Sequence, residues 1–143
     1  MAYRLQGEIG VQKAIYEFMI RNIKVYKPLV DDGVDILVEI KNKYYKIQCK
    51  TSKFTPKSEK CVVYELTKTY HNNSHIEVKK YTSNEVDYFF LFSDLFPNYS
   101  CLIPFEEVKG KRTINIDYSD NKKHPLKNHY KEFSLDNILN LRV

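Results

Sequence analysis

The feature that most constrains this chain is a pair of alternating apolar and polar runs, Val34 to Ile40 and Tyr44 to Thr51, joined at Asn42-Lys43. A side-chain period of two reads as strand, and a short polar joint between two such runs reads as a β-hairpin. A two-residue loop at Asn42-Lys43 sets Ile36 opposite Cys49, Val38 opposite Ile47 and Ile40 opposite Tyr45. That face is apolar throughout. On the other face Asp35 opposes Lys50, Leu37 opposes Gln48, and Glu39 opposes Lys46. A slip by one residue would turn every side chain to the wrong side. The hairpin therefore gathers Asp35, Gln48 and Lys50 on one side of a sheet.

Around the hairpin the pattern is mixed. From Leu5 to Asn22 the apolar residues recur at helical spacing, with Val11, Ile15 and Phe18 on one face and Ala14 and Met19 beside them. One turn back, that face reaches Glu8, a carboxylate where the pattern asks for an apolar residue. Ile23 to Leu29 is extended and stops at the turn signal Asp31-Asp32-Gly33. Lys60 to Thr67 reads as a strand, His71 to Ser74 as a loop, and Ser100 to Pro104 and Thr113 to Tyr118 as further strands. Asp87 to Ser93 is almost wholly apolar, as a strand buried on both faces must be. Ser134 is placed to cap a short final helix, Leu135 to Leu141. The expected fold is a mixed α/β (α+β) domain, with an N-terminal helix packed on a central mixed sheet. No repeat or linker divides the 143 residues, so one domain over 1–143 is expected.

Composition narrows the partners. The net charge of +5 and pI of about 9.0 favour an anionic one. Cys49, Cys61 and Cys101 are odd in number and form no CxxC pair, which suggests neither a zinc site nor a disulfide framework. A reducing compartment follows, and the cytoplasm is expected. The segment MAYRLQGEIG has no apolar stretch of a secretory signal, and no run approaches the roughly 20 apolar residues of a membrane helix. No membrane association is expected.

Glu8, Asp35, Gln48 and Lys50 together suit chemistry on a phosphodiester. Hard divalent cations take oxygen ligands, usually one or two carboxylates with waters and substrate phosphate. Asp35 is the anchor, with the Gln48 side-chain oxygen and the Cys49 backbone carbonyl completing its side of the shell. Lys50 lies two residues beyond Gln48 on the same face, where an ammonium can hold an attacking water or offset developing negative charge. Glu8 would reach the ion through water or a second ion. Plainer readings stand beside these. Asp35 and Lys50 also fit a cross-strand ion pair, as do Glu39 and Lys46, which have no further partners. Glu8 fits a helix-start carboxylate favoured by the dipole. Asp31 and Asp32 fit turn builders as well as neighbours of a metal. His71 and His75 show HxxxH spacing but have no third ligand, so they are expected to bind no metal.

The segments GEIG at 7–10, DDGVDILVEI at 31–40 and YYKIQCKTSK at 44–53 resemble the PD-(D/E)xK nucleases. In that superfamily an early helix supplies a Glu, a hairpin the Asp, and the next strand the (D/E)xK triplet. Asp32-Gly33-Val34-Asp35 stands near the PD element, and Gln48-Cys49-Lys50 matches the triplet with Gln in its first place. This QxK version is similar to the small group I intron homing endonucleases, as are VDYFFLFSDL at 86–95 and YSCLIPFEEV at 99–108. Archaeal Holliday junction resolvases are the second resemblance. The likeness implies a restriction-endonuclease-like core over about 5–108, followed by a basic extension over 109–143. It further implies a Mg²⁺-dependent endonuclease, with Mn²⁺ as a substitute, acting on double-stranded or branched DNA as a homodimer or homotetramer. Lys53, Lys57, Lys109, Lys111, Arg112, Lys122 and Lys123 are then the expected phosphate contacts. A non-catalytic DNA-binding protein on a decayed nuclease fold is the alternative, since Gln48 replaces an acid.

Overall fold

The computed structural model describes residues 3–30, 33–52, 60–120 and 128–142. Asp31, Asp32, Lys53, Lys57, Lys122 and Lys123 lie outside them. The chain opens with helix α1 (Tyr3–Met19), whose Val11, Ala14 and Phe18 are buried at helical spacing. Helical periodicity predicts three further residues, but these form the cap instead. Asn22 adopts a left-handed conformation (φ 59°), and the Ile23 N–H returns to the Phe18 carbonyl at 3.1 Å. Asn tolerates that conformation better than most residues, which is why the helix stops here.

A five-stranded sheet follows, ordered β1 (Lys24–Tyr26), β2 (Ile36–Ile40), β3 (Lys43–Thr51), β7 (Tyr88–Phe92) and β8 (Cys101–Pro104). Only the β3–β7 pair is parallel; the other pairs are antiparallel. Two two-stranded sheets complete the strands: β4 (Cys61–Glu65) with β9 (Thr113–Asp117), and β5 (Thr67–Asn72) with β6 (His75–Lys80). Helix α2 (Leu135–Arg142) closes the chain, and the Ser134 hydroxyl accepts the Asn137 N–H at 3.3 Å as the expected cap.

The central sheet is covered on both faces. Ile36, Val38, Ile47, Phe90 and Phe92 face α1 and α2, whereas Phe89, Leu91 and Ile103 face the β4–β9 pair. Neighbours on β7 thus enter different cores, which explains its unbroken apolar run. Fully burying side chains such as Phe18 and Phe90 stabilises the fold by about 1.5–3 kcal/mol each. Gly10 lets α1 approach β3 closely: a Cβ there would stand 2.5 Å from the Thr51 methyl. Residues of β9 and α2, beyond position 108, belong to these same cores.

The hairpin has its expected faces but a different register. Ile36 pairs with Ile47, Val38 with Tyr45 and Ile40 with Lys43, so the turn is Lys41-Asn42 and not Asn42-Lys43. Both turn residues have positive φ, 51° and 65°, as the primed two-residue turns that match strand twist require. The shift is two residues, so every side chain keeps its face. Its neighbours change, however. Extending the ladder sets Asp35 against Gln48, not Lys50. The supposed Glu39–Lys46 pair is also absent: Glu39 is 4.0 Å from Lys24, and Lys46 Nζ donates to the Asn84 carbonyl at 2.6 Å.

The strand expected over 60–67 is interrupted at Leu66, a buried residue whose N–H turns to the Arg112 carbonyl at 2.8 Å. The loop expected at 71–74 shrinks to a turn at Asn73-Ser74, because His71, Asn72 and His75 join the β5–β6 ribbon. His71 pairs with Ile76 and Asn72 with His75, which puts the two histidines on opposite faces.

Candidate active site

The β2–β3 ladder starts at Ile36↔Ile47, yet β3 continues to Thr51 with β7 alone beside it among the described strands. The N–H groups along that free edge need acceptors. Asp35, the residue before β2, supplies one. Its Oδ2 accepts the Cys49 N–H at 2.8 Å and the Gln48 Nε2 at 2.9 Å. The carboxylate is therefore locked against the first two residues of the QxK triplet.

Gln48 lies on the β4–β9 side of the sheet and is buried. Donation from Nε2 to Asp35 orients its amide. Oε1 is then buried with no hydrogen-bond partner among the described residues. Leaving such an acceptor unpaired costs about 1–3 kcal/mol, so its survival beside a carboxylate marks a place for an electropositive group. This oxygen fits a hard cation.

Lys50 shares the Gln48 face. Its Nζ donates to the Thr67 carbonyl at 2.9 Å and to the Tyr81 hydroxyl at 3.1 Å, and lies 4.9 Å from the Tyr81 ring centre. A cavity of about 170 Å³ opens beside it, lined by Gln6, Gly7, Cys49, Lys50, Thr51, Glu65 and Thr67. Thr67, Tyr81 and Glu65 were not among the residues singled out from the sequence. Thr67 and Tyr81 reach Lys50, and Glu65 reaches its cavity, because β4, the ribbon and the central sheet fold together.

Glu8 stands apart from this cluster on an exposed turn of α1. Its carboxylate accepts from Gln12 at 3.0 Å and from Lys27 at 3.3 Å, and these two partners hold it below the usual carboxylate range. It is not buried in the apolar face, but its charge still reaches the site. Burial pushes the Cys49 thiol well above its usual range, Asp35 and Glu8 push the same way, and Lys50 opposes them. The Cys49 side chain packs against the core under α1, and it is its backbone that turns toward Asp35.

Of the expected phosphate contacts that are described, Lys109, Lys111 and Arg112 are exposed in the turn before β9. The Arg112 carbonyl bonds to Leu66, which places that turn against the approach to Lys50. Tyr118 and Tyr130, which interleave with the basic residues in sequence, are core side chains and not a surface for stacking bases. Among the described residues, no three His, Cys, Asp or Glu side chains converge as a metal cage, and no helix is long and apolar enough to cross a membrane.

Comparison with known proteins agrees with this fold. A solved bacterial homing endonuclease, I-Ssp6803I, has a similar fold: TM-score 0.77 and 20% identity, covering 94% of this chain and 89% of that one. No curated protein matches the chain. The model for the PD-(D/E)XK endonucleases matches residues 1–136, which carry Asp35, the QxK strand and the helix bearing Glu8, and the chain belongs to that nuclease family.

Proposed function

We propose that this protein is a Mg²⁺-dependent DNA endonuclease of homing or mobile-element type, built as one nuclease domain over 1–143. The observation that carries this reading is the Gln48 Oε1 next to Asp35, buried and without a hydrogen-bond partner among the described residues. Asp35, Gln48 Oε1 and the Cys49 carbonyl would hold the ion, and Glu8, which stands apart on α1, would reach it through water or a second ion. In a strand the N–H and C=O of one residue face the same neighbour, so the Cys49 carbonyl shares the Asp35 edge with its N–H. Bound there, Mg²⁺ or Mn²⁺ supplies charge for the scissile phosphate and makes water more acidic.

The protein's own groups do the rest. Asp35 is kept in place by two donors, so it needs no reorganisation to act as an oxygen ligand. Gln48 contributes an oxygen without a second negative charge, which lowers repulsion toward an entering phosphate. Lys50 presents its ammonium to the cavity side, where it can orient a water or offset charge on the phosphoryl oxygens. Lys109, Lys111 and Arg112 supply exposed charge for the flanking phosphates. Lys53, Lys57, Lys122 and Lys123 carry the same role by charge alone.

Cutting both strands of a duplex calls for two sites, and symmetric association is the simplest source. Leu5, Ile9 and Tyr16 on α1 and Ile20 just beyond it are exposed apolar residues, a surface suited to a second copy. The double variant Ile9→Glu/Ile20→Glu is expected to sediment as a monomer and to nick plasmid without linearising it. An unchanged mass would remove α1 from the interface.

The direct test is cleavage with Mg²⁺, or with Mn²⁺, of duplexes carrying candidate targets and of a synthetic four-way junction. Cutting of the duplex supports the homing-type reading. Cutting of the junction alone would replace it with a resolvase. Binding without cleavage in both metals, on a panel containing the true target, would make the fold a non-catalytic DNA binder.

A further inference from the structure

We propose that the β5–β6 ribbon enters the major groove of duplex DNA and reads the target there, an inference that rests on the DNA-endonuclease reading of the site at its base. Every described side chain from Thr69 to Lys80 is exposed, so neither face of the ribbon packs on the body of the protein. A lone two-stranded ribbon is marginally stable in water. Its braces among the described residues lie near its base and along its own length: Lys68 pairs with Glu85 and lies 5.4 Å from the Tyr81 ring centre, and Lys79 lies 5.3 Å from that of Tyr70. A projecting element with two wet faces is built to be covered by something else.

Its shape and chemistry fit a groove. Six paired positions, from Thr67↔Lys80 to Asn72↔His75, give a ribbon of roughly 20 Å at about 3.3 Å per residue, and a major groove about 12 Å wide admits a two-stranded ribbon. Three lysines, Lys68, Lys79 and Lys80, stand against one acid, Glu77. One face offers Thr69, His71, Ile76 and Val78, a set of hydrogen-bonding groups and methyls suited to base edges and thymine methyls. The other carries Tyr70, His75 and Glu77 with two of the lysines.

Position selects DNA over other occupants. Thr67 and Tyr81, at the two feet of the ribbon, are the residues that hold Lys50. The basic turn at Lys109, Lys111 and Arg112 abuts the same feet through the Leu66–Arg112 hydrogen bond. A duplex lying along the ribbon thus arrives at Lys50 with cations on its flank. A second copy pairing with a free edge of β5 or β6 is the competing occupant. Lysines on short edge strands are a common device against such pairing, so their presence here favours the polyanion.

The test compares the full chain with Lys79→Ala/Lys80→Ala and with His71→Ala/Ile76→Ala. The probe is an end-labelled mixed-sequence 40-bp duplex, titrated at several salt concentrations and footprinted with dimethyl sulfate, which reports guanine N7 in the major groove. The lysine variant should bind at least roughly tenfold more weakly, with a salt slope reduced by about two, one for each ammonium taken away from a phosphate. The His71/Ile76 variant should lose guanine protection while keeping its salt slope. Both should melt as the wild type does, because no side chain in the core is touched, and Lys80→Ala alone, which leaves the Lys79–Tyr70 brace in place, should still weaken binding and lower the salt slope by about one. Wild-type affinity, slope and footprint in both variants would overturn the proposal. A fall in sedimenting mass with unchanged DNA affinity would overturn it too, making the ribbon a contact between copies. If the wild type itself retains no duplex at low salt, the DNA reading of the site fails, and that is distinct from a failure of the ribbon.

Discussion

Lys50→Ala should leave a folded protein that still retains duplex DNA but cuts it roughly 10²–10³-fold more slowly, the loss typical of removing one group that stabilises developing charge. The geometry makes this lysine hard to replace. Thr67 and Tyr81 hold its Nζ at 2.9 and 3.1 Å, and Lys50 and Thr67 both line the cavity next to it. A neighbouring exposed lysine would have to give up solvent and find the same two partners. Tyr81→Phe is the finer version of the experiment. It keeps the aromatic face under the ammonium and the Thr67 carbonyl but deletes one hydrogen bond, worth about 0.5–1.5 kcal/mol. A drop of roughly 2–10-fold in kcat with unchanged KM is expected, because the lost bond orients Lys50 and does not touch DNA. Cleavage at the wild-type rate by a correctly folded Lys50→Ala would sink the assignment.

Asp35→Ala is expected to act on stability and on metal binding at once, and Asp35→Asn separates the two. In the Ala variant the Cys49 N–H and the Gln48 amide lose their common acceptor, and each buried donor left unpaired costs about 1–3 kcal/mol. An Asn oxygen can still accept from Cys49, so that variant should melt close to the wild type. The metal effect is different. At a concentration a hundred times its Kd, Mn²⁺ should stabilise the wild-type fold by about 2.7 kcal/mol, and both variants should lose that gain along with cleavage. Thermal melts with and without Mn²⁺ read this directly. A Mn²⁺ shift that survives in Asp35→Asn would move the ion away from Asp35.

The sequence reading and the structure part company at identifiable residues. The faces of the hairpin were legible because a period of two leaves only two ways to orient a strand, and one of them would bury charge. Its register was not legible to the residue. Which two residues make the turn depends on backbone angles, and Lys41 gives little sign that it will accept a positive φ. The consequence is specific: Asp35 meets Gln48 and the Cys49 N–H, while Lys50 is released to find Thr67 and Tyr81. Glu8 was legible as a functional candidate from its place on α1, but its exposure and its bonds to Gln12 and Lys27 were not.

Local chemistry along the chain was enough for the first helix, the apolar run of β7, the Ser134 cap and the order of the family's site elements. Each of these depends on neighbours within a turn or two, or on a strand's own alternation. The unpartnered Gln48 oxygen, the two hands on Lys50 and the projecting ribbon depend on pairs separated by up to 31 positions, such as Lys50 with Tyr81. The ribbon in particular carries no binary pattern, because both of its faces are wet and neither is sorted by burial. Contacts of that kind come into being only when the sheets close on one another, and no spacing along the chain records them.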